Sequence, residues 1–176
     1  MYSETKQIFN RQKVRLMIEN NIILTKTEKE DLNTLFQFQT DKEGGYLAAF
    51  MPKDPNDKAA YIEKYSKFLT DPTKNMQTIK MNNQIVGSIF KFVMEGDNEI
   101  TYWIDRKFWG QGIATKALKH FLTIETTKPI FGRVAFDNIG SQKVLAKCGF
   151  EKIGTDKDFA NARQEEIEEY IYKLPE

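Results

Sequence analysis

The sequence is poor in the residues that build disulfides and zinc sites. It contains one cysteine, Cys148, and one histidine, His120, so an internal disulfide is excluded and a zinc site with Cys and His ligands cannot be assembled. This usage is typical of a reducing compartment and predicts a cytoplasmic protein without a metal. We expect Cys148 to be a small core side chain and His120 to lie at the surface or at the edge of the core.

An excess of charge and a long apolar run are also missing. The 26 Lys and Arg residues nearly balance the 25 Asp and Glu residues, which argues against nucleic acid or an acidic membrane surface as a partner. No apolar run approaches the ~20 residues that span a bilayer, and residues 1–20 lack the apolar core of a signal peptide. We therefore expect a soluble protein with no membrane partner.

Length and composition fit one globular domain. The chain has 176 residues, of which 40% are hydrophobic and 29% charged, ordinary values for a folded soluble protein. A chain of this size buries a sizeable core and leaves little room for a second domain. The prediction is a single domain over residues 1–176.

The first half of the chain predicts two helices. Residues 27–39 have helical spacing, with Thr27 as the expected cap and Glu30 completing a capping box. Residues 57–69 predict the second helix, and the glycines and prolines of residues 44–57 predict a loop between the two. Two short strands are expected around residues 19–21.

The second half alternates with the period of a sheet. Three strands separated by turns predict an antiparallel meander between residues 75 and 105. A glycine turn, an apolar helix beginning near Ala114 and the strand "IFGRVAF" follow and form one crossover. A short helix capped by Asn138 and stopped by Gly149, and a final strand "EEIEEYIYKL", complete a mixed α/β (α+β) order.

The turn "FWGQGIAT", residues 108–115, has the character of a phosphate site. A strand that runs through Gly110, Gln111 and Gly112 into a helix gathers main-chain N–H groups at the positive end of the helix dipole. The Walker pattern does not match. The dinucleotide pattern has Thr115 where a third glycine is required, and the preceding strands are joined by hairpins. The diphosphate of coenzyme A is the third alternative.

Two segments resemble the GNAT superfamily of acyl-CoA N-acyltransferases, and within it the RimJ/RimL-like branch. The segment "WGQGIAT" is similar to the family turn R/Q-x-x-G-x-G/A, with Trp109 where Arg or Gln is usual, and "NIGSQKVLAKCGF" is similar to that branch's N-x-x-S-x-x-x-L-x-K-x-G-F segment. The resemblance implies a mixed, mostly antiparallel, strongly bent sheet flanked by helices, with the pantetheine of acetyl-CoA between two splayed strands, "EITYWID" and "IFGRVAF".

The resemblance also implies which residues bind the coenzyme. The main chain of one strand end, the amides of the turn and three side chains of the short helix that Asn138 opens are expected to contact it. These residues are Trp103, Ile104, Asp105, Gly110, Gln111, Gly112, Ile113, Ala114, Thr115, Asn138, Ser141 and Lys143. Asn138 has an alternative as a helix cap, and the two roles are compatible. Further basic residues near these segments are Arg106, Lys107, Lys116 and Lys119. For each of them, and for Lys143, the alternative is a solvated surface charge.

The reaction implied is direct attack of a primary amine on the thioester in a ternary complex. Glu99 is the candidate base, and its alternative is a solvated strand end. The tyrosine that serves many relatives as proton donor is replaced by Leu145, so Ser141 is the candidate donor, with coenzyme binding or helix capping as its alternatives. A backbone N–H near Ile104 is expected to meet the thioester oxygen.

The acceptor has no signature in the sequence. In the superfamily its pocket is built by the first two helices, here residues 27–70, and both a protein N-terminus and a small-molecule amine stay open. Tyr102 and Trp103 are expected on opposite faces of their strand. Relatives are often dimers, which makes a homodimer an expectation. The alternative function is a non-catalytic acyl-CoA-binding or regulatory domain.

Overall fold

The computed structural model describes residues 21–175, which form a mixed seven-stranded sheet with five helices. The strands are β1 (Ile22–Lys26), β2 (Asn75–Met81), β3 (Gln84–Met94), β4 (Asp97–Ile104), β5 (Ile130–Ala135), β6 (Glu151–Ala160) and β7 (Glu165–Leu174). The helices are α1 (Leu32–Gln39), α2 (Lys42–Ala48), α3 (Lys58–Thr70), α4 (Ile113–Ile124) and α5 (Ile139–Lys147).

The sheet has the order β1-β2-β3-β4-β5-β7-β6. All neighbouring strands are antiparallel except β4 and β5, which run parallel and pair at one register position, Glu99 with Phe131. Beyond that position the two strands diverge, and a gap opens toward the end of β4. The predicted mixed, mostly antiparallel sheet with a splayed central strand pair is confirmed.

Successive residues of β3 belong to two different cores. Ile89 packs with the α4 side chains Leu118 and Phe121, whereas Phe90 packs with Leu35 of α1 and Tyr65 of α3. Because adjacent strand residues point to opposite faces, α4 and α5 cover one face of the sheet and α1 and α3 cover the other. The apolar stripe that predicted α4 is the stripe that the sheet buries.

The first helix begins later than its sequence predicts. Thr27 does not cap it, because the Thr27 N–H donates to Met76 O and extends the pairing of β1, and its buried hydroxyl accepts a hydrogen bond from Thr78. The capping box is formed by Glu28 and Asp31 instead, at the start of a short 3₁₀ turn over Lys29–Asp31. The predicted role of Glu30 in that box is therefore wrong.

The predicted loop over residues 44–57 is wrong in its first part, which forms α2. Asp41 caps this helix by accepting a hydrogen bond from the Gly44 N–H at 2.8 Å. Gly44 lies against the ring of Trp103, and a Cβ atom there would come within 2.9 Å of that ring. The glycine therefore serves close packing of a helix on a strand rather than a turn.

The strand β6 was not predicted. Its side chains are exposed or half-buried except for Ala160, because β6 is the edge strand and pairs only with β7 among the described residues. An edge strand without a buried face has no alternating pattern for sequence analysis to detect. The capping by Asn138, the stop at Gly149, with φ 89°, and the final strand are confirmed.

Of the two strands expected around residues 19–21, the second is β1, and the first lies outside the described residues. None of the helices in residues 21–175 is long and apolar enough to cross a membrane.

Candidate active site

A cavity of about 980 Å³ lies at the gap between β4 and β5. It is bounded by the ends of β4 and β5, by the glycine turn, by one side of α5 and, at the other end, by α2 and the chain that follows it. Of the residues predicted to contact the coenzyme, all but Asp105 and Gln111 line this cavity.

The glycine turn presents main-chain N–H groups to this cavity. Gly110 and Gly112 have φ of 75° and 73°, a region that favours glycine, and a Cβ atom on either would meet nothing within 4 Å. The first intrahelical hydrogen bond of α4 is from the Lys116 N–H to Gly112 O, so the N–H groups of residues 113–115 precede it. Amides in this position suit a diphosphate because the helix dipole adds positive potential there.

The end of β4 directs the N–H and the C=O of one residue, Ile104, toward the gap. The Asp105 N–H donates to Val86 O of β3 at 2.8 Å, and the Trp103 carbonyl lies against Gly87 of β3. Because the N–H and C=O of one strand residue point to the same side, both groups of Ile104 point away from β3 and into the gap. The Ile104 N–H is thus directed where the family resemblance requires a donor for a thioester oxygen.

Trp109 contributes a contact that sequence reasoning missed. Its indole Nε1–H donates to Ile104 O at 2.8 Å. The sequence feature that could have indicated this contact is the substitution at position 109, where Trp109 replaces the usual Arg or Gln of the family turn.

Tyr102 and Trp103 lie on opposite faces, as predicted. The Tyr102 hydroxyl donates to Ser141 O of α5 at 3.2 Å, and burial raises its pKa. The Trp103 Nε1–H donates to Phe38 O at the end of α1 at 3.0 Å. Tyr102 therefore lines the α5 side of the cavity and Trp103 the α1–α2 side.

The start of α5 forms the opposite wall, where Asn138, Ser141 and Lys143 line the cavity. The Asn138 Oδ1 accepts a hydrogen bond from the Ser141 N–H, and its Nδ2 donates to Leu47 O of α2, both at 3.1 Å. Asn138 therefore caps α5 and attaches it to α2. Its contact with a coenzyme, like those of the other sequence-predicted residues, stays a prediction.

Glu99 is not a solvated strand end. Its side chain is 3% exposed and its Oε1 accepts from the Arg133 Nε at 3.2 Å. Arg133 also donates to the buried Glu169 at 2.9 Å, and the exposed Asp156 lies 3.5 Å away. Burial raises the pKa of Glu99, and Arg133 opposes that shift through its hydrogen bond and charge.

Sequence reasoning missed Arg133 and Glu169. Arg133 is a charged residue in the middle of the apolar strand "IFGRVAF", which is the signal that could have found it. Both residues line the cavity together with Glu99. One guanidinium thus faces two buried carboxylates, which is a net negative arrangement at that end of the site.

The basic residues predicted to screen phosphate charge do not all face the cavity. Lys143 lines the cavity, whereas Lys107, Lys116 and Lys119 do not. Arg106 is engaged by Asp41 at 2.9 Å and by Glu43 at 2.8 Å.

Part of the region 27–70, which was predicted to build the acceptor pocket, lines one end of the cavity. The contributing residues are Gln39, Gly44, Leu47, Ala48, Phe50, Met51, Pro52, Lys64 and Tyr65. His120 and Cys148 were not predicted to take part in the chemistry. His120 is exposed, and Cys148 is half-buried against the core. Burial raises the pKa of the Cys148 thiol.

Comparisons with known proteins agree with this geometry. Residues 21–151 match the acetyltransferase (GNAT) domain family. The chain is 24% identical over 166 residues to an uncharacterized N-acetyltransferase p20 of Bacillus licheniformis, covering 87% of this chain and 92% of that protein.

Two solved structures show the same fold. The microcin C7 self-immunity acetyltransferase MccE in complex with acetyl-CoA and AMP has a TM-score of 0.72 and 17% identity, with 89% of this chain and 93% of that chain covered. The RimL ribosomal L7/L12 alpha-N-protein acetyltransferase in complex with coenzyme A has a TM-score of 0.71 and 18% identity, with 86% and 92% covered. Because the family match extends over most of the chain and the splayed sheet agrees with it, the protein belongs to the GNAT acetyltransferase family.

Proposed function

We propose that this protein transfers the acetyl group of acetyl-CoA to a primary amine by direct attack in a ternary complex. The observation that carries the proposal is the cavity at the gap between β4 and β5, which is lined both by Ile104 and by the residues that follow Gly112. Glu99 lies on the same strand as Ile104, at the point where the gap begins. Coenzyme recognition and proton removal are thus assigned to one cavity.

In this proposal the coenzyme is held mainly by main-chain groups. The turn amides of residues 111–115 bind the diphosphate, the Trp103–Asp105 main chain binds the pantetheine, and Lys143 screens phosphate charge from the α5 side. Acetyl-CoA would supply the activated acetyl group, and the coenzyme A thiolate would leave as the amine forms the new amide bond. The Ile104 N–H is the donor that stabilises negative charge on the thioester oxygen.

Glu99 is the proposed base, acting directly or through a water molecule. An amine attacks only when neutral, and amines with pKa values of about 8 to 10 are mostly protonated at neutral pH. A carboxylate whose pKa is raised by burial is a better proton acceptor than an exposed one. Its hydrogen bond to Arg133 fixes the orientation of the carboxylate.

Ser141 is the proposed proton donor to the leaving thiolate. Its position at the start of α5 is fixed by the hydrogen bond from its N–H to Asn138, and its side chain lines the cavity. A thiol with a pKa near 8.5 leaves without much assistance. We therefore expect Ser141→Ala to lower kcat by less than about tenfold.

The acceptor is proposed to be a protein N-terminus, as in the RimJ/RimL-like branch, or a small-molecule amine. Apolar side chains of Leu47, Phe50 and Met51 line one end of the cavity. The buried residues Glu99 and Glu169 line the same cavity. A cationic amine carried on an apolar group fits such a cavity.

Thermal protection by acetyl-CoA tests the coenzyme part. A ligand at 100 times its Kd stabilises the folded state by about 2.7 kcal/mol, so a rise of several degrees in Tm is expected. Gly112→Ala should remove this rise because a side chain at φ 73° distorts the turn. Gly96→Ala is the matched control, since Gly96 also has positive φ, 93°, and open space, but lies in the β3–β4 hairpin.

Release of free thiol from saturating acetyl-CoA, measured across a panel of peptides, polyamines and other amines, tests the transfer. Thiol release that depends on an amine supports the proposal. Protection by acetyl-CoA without release for any amine would favour the non-catalytic acyl-CoA-binding domain. An unchanged Tm with acetyl-CoA would reject both functions.

A further inference from the structure

The indole of Trp109 connects the two main-chain regions that line the gap. Trp109 belongs to the glycine turn, and its Nε1–H donates to the carbonyl of Ile104 at the end of β4, at 2.8 Å. The ring is 37% exposed and borders the cavity. A side chain of the turn is therefore bonded to the strand that supplies the N–H directed at the thioester.

Trp109 donates its hydrogen bond to the Ile104 carbonyl. Without this bond, the carbonyl would have no partner from a neighbouring strand, because it faces the gap. Both polar groups of Ile104 face away from β3, and β5 has already diverged from β4 at this point. In a closed sheet a neighbouring strand would pair with both groups. Here the indole N–H donates to the Ile104 carbonyl, and the Ile104 N–H is directed into the cavity.

The other connections across this segment are local to the turn. The Asp105 side chain accepts from the Lys107 N–H at 3.2 Å, and the Trp109 N–H donates to Arg106 O at 3.1 Å. These bonds shape residues 105–109 but do not hold the turn against Ile104. Phe108 and Ile113 pack in the same core cluster as Ile104, and the indole hydrogen bond adds the polar contact between the turn and the Ile104 main chain.

We propose that Trp109 is a positioning residue that fixes the distance between the turn amides and the Ile104 N–H, and thereby prepares the site for the full length of coenzyme A. This inference rests on the proposed function. Its physical basis is preorganisation: a ligand that contacts both regions binds more tightly when their spacing is set before binding. A ligand that contacts only the turn gains little from the bond.

The test compares two ligands on Trp109→Phe, which keeps an aromatic ring and removes the N–H. The ligands are coenzyme A and adenosine 3′-phosphate 5′-diphosphate, which lacks the pantetheine arm. We expect the Kd of coenzyme A to rise about tenfold, the effect of one lost hydrogen bond, and the Kd of the nucleotide to rise less than about threefold. Titration calorimetry measures both, and the Tm without ligand reports on the fold.

A second variant, Trp109→Leu, separates the hydrogen bond from ring packing. If the N–H acts as proposed, Trp109→Phe already loses most of the coenzyme A affinity that Trp109→Leu loses. Wild-type affinity of Trp109→Phe for coenzyme A would overturn the proposal, and so would equal weakening of both ligands, which indicates general damage to the turn. Absence of coenzyme A binding by the wild type would instead reject the proposed function itself.

Discussion

The guanidinium of Arg163 forms two hydrogen bonds with the carboxylate of Asp137, at 2.8 and 2.7 Å. Arg163 lies in the β6–β7 connection and Asp137 follows β5, and the Arg163 Nε also donates to Tyr46 O of α2 at 3.0 Å. One side chain thus joins a hairpin, the end of a central strand and the helix at the acceptor end of the cavity.

Arg163→Lys should lower the free energy of unfolding by about 2 kcal/mol, because a lysine keeps the charge but cannot form the two-pronged bond. The Arg163 side chain is 3% exposed, so water does not replace the lost contacts. Urea denaturation measures the change. Arg106→Lys is the control, since Arg106 is ion-paired too, with Asp41 and Glu43, but is 54% exposed, and we expect less than about 1 kcal/mol there. Equal losses for the two variants would contradict this ranking.

The same pair predicts an acid-sensitive contribution to stability. The hydrogen bond and charge of Arg163 hold the pKa of Asp137 below its usual range. A carboxyl with a lowered pKa in the folded state stabilises the fold above its unfolded pKa, near 3.9, and loses that contribution as the pH falls. The difference in unfolding free energy between wild type and Asp137→Asn should therefore be largest near neutral pH and shrink below about pH 4. A difference that stays constant down to low pH would show that the charge of Asp137 is not involved.

Glu99→Gln should lower kcat by a factor of about 10² to 10⁴ if Glu99 removes the proton from the amine. Burial raises the pKa of Glu99 despite Arg133, so the activity should rise with pH through a pKa above that of an ordinary glutamate, about 4.3. A pH profile of kcat for an acceptor found in the amine panel measures this limb. An active Glu99→Gln variant would exclude the role.

Glu169→Gln is the companion variant for Glu99→Gln. The charge of Glu169 contributes to the raised pKa of Glu99, so removing it should move the rising limb to lower pH while activity is retained. A shift to higher pH, or none, would mean that Glu169 does not influence the base through charge.

Local signals predicted the parts of the site that local geometry creates. The turn follows from Gly110 and Gly112 beside an apolar helix, and the α5 cap follows from Asn138 followed by helical spacing. Each of these features depends on a few consecutive residues. The gap between β4 and β5 was expected from the family resemblance, because no property of either strand alone prevents them from pairing.

Contacts between distant segments escaped prediction. Arg133 meets Glu99 across 34 positions and Glu169 across 36, and only the parallel arrangement of β4 and β5 and the return of β7 bring them together. The helix α2 was missed because a glycine in a sequence usually indicates a loop. Gly44 is in a helix here because only a residue without a side chain can pack this closely against Trp103. In both cases tertiary contacts override the local preference.

Gly87→Ala should disturb the coenzyme site through the main chain. A Cβ atom at residue 87 would come within 2.1 Å of Trp103 O, so the main chains of β3 and β4 must separate there, and we expect the Ile104 N–H that faces the gap to be displaced. We expect a loss of about 1–3 kcal/mol in unfolding free energy and a smaller rise in Tm with acetyl-CoA. Gly154→Ala is the matched control in β6, where a Cβ atom meets nothing within 4 Å, and it should leave both quantities nearly unchanged. A full acetyl-CoA response in Gly87→Ala would contradict the prediction that the Ile104 N–H contacts the coenzyme.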